Sequence, residues 1–163
     1  MSATIKFGTK AVKETVLPHA IDVLTDILTK SNNVTCTITS TMRSEHDQAR
    51  IMYNNCVLHG SESQLKLYKS AGQSVIQMYR TKIREHANQE TIIAAMEEQI
   101  KKIGGSSVSH HCGDFHKLCV IDIDPNSILN KTEFILQVNS DKRVSKFLQP
   151  PTDPAYHLEI PIV

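Results

Sequence analysis

The chain has 163 residues, 40% hydrophobic and 21% charged, with a formal net charge of +1. That length can bury a core in one domain without covalent staples. Trp is absent, aromatics are few, and Lys and Arg are scattered instead of striped, so nothing marks a stacking surface or an electrostatic footprint for nucleic acid.

Four cysteines are present: Cys36, Cys56, Cys112 and Cys119. The N-terminal residues lack the shape of a signal peptide, and no apolar run approaches membrane-spanning length. We therefore expect a monomer made in the cytoplasm, with free thiols. Release by a phage lysis system, or carriage in a virion, would leave no mark on such a sequence. One domain is expected over residues 1–163.

In chain order, residues 18–31 place apolar side chains at helical spacing, with Pro18 suited to a first turn. Ser31-Asn32-Asn33 breaks the pattern. Residues 34–43 alternate strictly and are rich in β-branched side chains, which predicts a strand. Val34, Cys36, Ile38 and Met42 form its apolar face. Thr35, Thr37, Thr39, Thr41 and Arg43 form the polar one.

Ser44 can cap a following helix that carries Ala49, Met52, Tyr53 and Cys56 on one face and ends at Gly60. Residues 62–86 read as helical, in two pieces around Gly72. Asn88 can cap another helix through Ile92, Ile93, Met96 and Ile100, closed by Gly104-Gly105.

The last third changes character. Leu118 to Asp124 reads as a strand and Asp124-Pro125-Asn126 as a turn. Residues 131–139 fit a helix or a strand, and 145–148 fit a strand. Residues 150–154 make a proline-rich loop before a final strand from His157 to Val163. Helices first and strands later, without a repeated strand–helix–strand rhythm, predict an α+β fold: a small antiparallel sheet with helices on one face.

Alternation puts Cys119, Ile121 and Ile123 on one face of their strand and Asp122 on the other. Leu158, Ile160 and Ile162 likewise oppose His157 and Glu159. One sheet would gather Arg43, Asp122, His157 and Glu159 on its polar face if these strands are neighbours. A half-exposed strand also turns polar residues outward with no site at all. Just upstream, Ser109-His110-His111-Cys112 adds imidazoles. Two His and one Asp are enough protein donors for a catalytic zinc, which takes three and leaves a fourth position for water. The other use of these residues is a structural zinc knot from His110, His111, Cys112, His116 and Cys119, whose spacing matches no CxxC-type finger.

Three segments carry a family resemblance: Thr39-Ser40-Thr41-Met42-Arg43 followed by Gln48; Ser109-His110-His111 with Asp122-Ile123; and Tyr156-His157-Leu158-Glu159. Together they resemble the zinc D-Ala-D-Ala carboxypeptidases and dipeptidases, a family that includes the L-Ala-D-Glu endopeptidases of phage endolysins and shares its fold with the hedgehog signalling domain. The matched residues are a small part of the chain.

The resemblance implies a zinc (Zn2+) peptidase acting on peptidoglycan or other D-amino-acid-containing peptides. His111, Asp122 and His157 would be the ligands. Arg43 would stabilise the carbonyl oxygen or grip a substrate carboxylate, and Gln48 would support the pocket wall. Ser109 would orient its loop. The chain departs from the family twice. The loop from His111 to Asp122 is longer than usual, so His110 and His116 stay open as first ligand. Pro154 stands where the family has its catalytic Glu, which leaves Asp153 as the base. That second departure also admits a non-catalytic zinc-binding or virion structural protein that keeps the fold.

Overall fold

A computed structural model describes residues 3–163. The chain folds into two compact units, one running through Met42 and resuming over Asp114–Val163, the other Arg43–Gly113.

The first unit is built on a sheet. Strand β1 (Thr4–Phe7) leads through a 3-10 turn (Lys13–Thr15) to helix α1 (Pro18–Lys30) and strand β2 (Thr35–Ser40). Pro18 occupies the first turn of α1, where its missing N–H removes no helical bond. The helix buries Ala20, Val23, Leu24, Ile27 and Leu28, the three- and four-residue spacing of a single face. It closes at Ser31, whose Oγ donates to the Ile27 carbonyl at 2.7 Å.

The second unit holds α2 (Glu45–His59), α3 (Ser61–Leu67), α4 (Ser70–Arg84), α5 (Gln89–Ile103) and α6 (Gly105–Val108). The Ser44 side chain accepts from Asp47 N at the start of α2, and Asn88 accepts from Thr91 N at the start of α5. Gly60 and Gly104 stop α2 and α5 at φ 82° and 89°, a region that an L side chain enters only with strain. Ala49, Met52, Cys56, Val75, Ile76, Ile92, Ile93, Met96 and Ile100 form the core of this unit.

The chain then returns to the sheet with β3 (Leu118–Ile123), a 3-10 turn (Pro125–Ser127), α7 (Lys131–Ser140), β4 (Lys146–Leu148) and β5 (Tyr156–Pro161). The strand order is β1-β2-β3-β5-β4. Cys36, Ile38, Cys119, Ile121, Ile123, Leu158 and Ile160 cluster in one buried core with the apolar faces of α1 and α7. Helices thus cover the face that alternation marks as apolar, and Asp122, His157 and Glu159 fall on the other. The fold is α+β.

Several local expectations are corrected. The sheet is mixed, because β1 pairs parallel to β2. β1–α1–β2 is therefore a strand–helix–strand unit that the residue pattern does not reveal; Thr4–Phe7 is too short to show a period. β2 stops at Ser40, so Arg43 lies outside it, held instead by an isolated parallel bridge to Cys112. Val34, expected on the strand's apolar face, lies before β2 and is exposed. The helical stretch after Gly60 breaks at Tyr68-Lys69 and not at Gly72, which sits inside α4 against the Tyr68 ring. The ambiguous segment 131–139 is helical and buries Phe134 and Val138. The last strand starts at Tyr156 and ends at Pro161, and Asp124 caps the turn after β3 by accepting from Asn126 N.

Candidate metal centre

β3 and β5 are antiparallel neighbours in continuous register, with Asp122 opposite His157. Such a pair shares one face of the sheet. Its side chains meet: His157 Nδ1 lies 2.9 Å from Asp122 Oδ1. Two residues along β5, on the same face, Glu159 puts Oε1 3.2 Å from His157 Nε2. Beside Asp122, the β2–β3 register shifts between Ile38 and Ser40, and Thr39 Oγ1 donates to the Asp122 carbonyl at 3.3 Å. An irregularity of this kind re-aims side chains next to a site.

His157 is buried between two carboxylates. Burial alone would lower its pKa, but the hydrogen bonds to Asp122 and Glu159 outweigh that, and the net shift is upward. Glu159 is itself buried, and Lys146 Nζ lies 3.7 Å from its Oε1.

His111 comes from the loop after α6. Its N–H donates to Ser109 Oγ at 3.3 Å and its carbonyl accepts from Arg43 N at 2.6 Å. The Ser109 side chain thus bonds within its own loop. His111 is buried and offers the third donor: His111, Asp122 and His157 each present one ligand atom, all within 4.8 Å of one another. Among the described residues this is the group of His, Cys, Asp and Glu that could hold a metal ion. Two imidazoles and a carboxylate in a largely buried setting lie close enough to hold a metal ion.

The Cys/His knot does not gather among the described residues. Cys119 belongs to the sheet core and Cys112 to the helical core. All four thiols are free and buried. Desolvation pushes Cys36 and Cys119 up to about 12, and Cys56 and Cys112 up to about 11, the environment of inert structural thiols. His116 stacks on Phe115, with ring centroids 4.2 Å apart, and neither it nor His110 enters the group.

The remaining expected site residues divide. Arg43 and Gln48 come together, with Arg43 Nη1 3.4 Å from Gln48 Oε1. Tyr68, absent from the expected set, joins them. Burial pushes its hydroxyl up, and Arg43 and the Gln48 side chain oppose that shift. Nothing in the residue pattern marks Tyr68, because its partners are twenty or more positions away. Asp153 is used locally: Oδ1 accepts from Ala155 N at 2.9 Å, an Asx-type turn in the proline-rich loop. It is outside the ligand group.

No family model, no curated protein and no solved structure matches the chain. Among the described residues, no helix is long and apolar enough to cross a membrane.

Proposed function

We propose that this chain is a zinc-dependent peptidase that hydrolyses peptidoglycan stem peptides, as a carboxypeptidase or an endopeptidase. The observation that carries the reading is the convergence of His111, Asp122 and His157, three donors of the kind and number that hold a catalytic zinc. The peptide substrate is supported by the resemblance of the segments around Arg43, His111, Asp122 and His157 to the zinc D-Ala-D-Ala peptidases. Such a substrate lies outside the cell membrane, which suits release by a phage lysis system.

Bound to these three residues, zinc would supply Lewis acidity toward a carbonyl substrate. The chain's own groups do the rest. Arg43 offers a planar, permanently charged fork to a carbonyl oxygen gaining charge or to a substrate carboxylate, with Gln48 fixing its orientation. Asp153 keeps Oδ2 for accepting a proton, since Oδ1 is committed to Ala155 N.

A second reading keeps the metal and drops the chemistry, making this a zinc-binding virion or interaction protein. Two observations favour it: Pro154 at the position of the family's Glu, and Asp153 engaged in its own turn. One experiment separates the two. Protein purified without chelator is assayed for bound zinc and for release of peptide or D-alanine from cell-wall fragments. Zinc with turnover supports the peptidase; zinc without turnover across several cell-wall chemistries supports the binding protein; and no zinc overturns both.

A further inference from the structure

We infer that Glu159 is a positioning residue for the metal centre: its carboxylate accepts a hydrogen bond from the Nε2–H of His157 and so leaves Nδ1, the nitrogen facing Asp122, as the ligating atom. This rests on the metal reading above.

A neutral imidazole has one N–H and one lone pair, and only the lone pair can ligate. The two ring nitrogens of His157 face different groups. Nδ1 is 2.9 Å from Asp122 Oδ1, a partner in the ligand group, and Nε2 is 3.2 Å from Glu159 Oε1, which is outside it. With the proton on Nε2, an acceptor-only carboxylate receives a donor, and the lone pair points to the side where Asp122 sits. With the proton on Nδ1, the Nε2 lone pair would confront the Glu159 carboxylate, and the ligating nitrogen would face away from Asp122. With a metal ion between Nδ1 and Asp122, the first arrangement serves both carboxylates, whereas the second gives Asp122 an N–H but sets the Nε2 lone pair against Glu159 and leaves no lone pair on the Asp122 side.

The backbone holds this pattern in place. Asp122 pairs with His157 across β3 and β5, and Lys146 pairs with Glu159 across β4 and β5. His157 and Glu159, alternate residues of one strand, share a face. Glu159 is 7% exposed, and a carboxylate buried to that degree needs a donor to offset its lost hydration. The His157 N–H and the Lys146 ammonium 3.7 Å away supply it. A carboxylate behind a ligating histidine sets its tautomer and raises its basicity, and losing that carboxylate costs about 10–100-fold in metal affinity.

The test measures zinc affinity of the full chain by competition with a chromophoric chelator, for wild type and Glu159→Gln. It adds long-range 1H–15N spectra of the zinc-loaded wild type, which report the proton position without any variant. The expected result is a roughly 10–100-fold weaker affinity in Glu159→Gln, with the His157 proton on Nε2 in the wild type. Unchanged affinity in a folded Glu159→Gln, or a His157 proton on Nδ1, overturns the role of Glu159 while leaving the metal centre standing. A wild type that binds no zinc overturns both.

Discussion

Asp122 and His157 stand directly opposite each other on neighbouring antiparallel strands, and their side chains meet at 2.9 Å on the face of the sheet turned away from α1 and α7. That one pairing brings together two polar residues, 35 positions apart, that are two of the three members of the candidate metal-binding group. Backbone register fixes it, so it does not depend on a flexible loop.

We expect about one zinc per chain from this three-donor set. Asp122→Ala, His157→Ala and His111→Ala should each empty the site, because two remaining donors rarely hold the ion. His110→Ala and His116→Ala should keep most of it. Elemental analysis of the five variants decides, and full zinc in Asp122→Ala would move the metal to other residues.

Arg43→Lys should fold, bind zinc and lose turnover. Arg43 is anchored through its backbone, to the His111 carbonyl and in the bridge to Cys112, and substitution leaves those bonds intact. Lys keeps the charge but loses the planar fork and its set of donors toward Gln48. Cell-wall hydrolysis at matched zinc occupancy is the readout, and wild-type rates would remove Arg43 from the mechanism.

Asp153→Asn discriminates between two jobs for one side chain. The amide keeps an oxygen to accept from Ala155 N, so the turn and the zinc content should survive. A general base would lose about 10²–10⁴-fold in turnover. Unchanged kinetics would leave Asp153 as a turn residue only.

Gly72→Ala should destabilise the helical unit even though alanine is the better helix former. The propensity gain is about 1 kcal/mol. Against it, the new Cβ would lie 2.7 Å from the Cβ and Cγ of Tyr68, inside any tolerated contact, and overpacking of this kind costs about 1–3 kcal/mol. Tyr68 would have to move away from Arg43 and Gln48. Chemical denaturation gives the sign directly, and a more stable Gly72→Ala would show that the ring yields without penalty.

Acid should weaken the sheet unit through Asp141. The hydrogen bond from Arg143, Nη2 to Oδ2 at 2.7 Å, holds the Asp141 carboxyl below its ordinary range, and Arg143 also reaches Asp26 at 3.0 Å. A carboxyl whose folded pKa is depressed stabilises fully above its unfolded pKa and loses that contribution as pH falls through the folded one. Asp141→Asn should therefore be less stable at neutral pH and show a flatter loss of stability on acidification. Identical acid limbs for the two proteins would rule the pair out.

The sequence by itself determined what local rules govern. Pro18, Ser44, Asn88, Gly60 and Gly104 placed helix ends because caps and positive-φ stops act within one turn. The period of two in Leu118–Ile123 and around His157 assigned Asp122, His157 and Glu159 to the polar side, since alternation is a property of a single strand. Tertiary structure decided everything that depends on a distant partner. It made β1 a strand by giving it β2 to pair with. It ended β2 at Ser40 and bridged Arg43 to Cys112, put Tyr68 beside Gln48, and committed Asp153 to Ala155. Above all, it chose His111 over His110 and His116. Spacing along a loop does not say which imidazole comes within ligand distance of Asp122 and His157; in the fold it is His111.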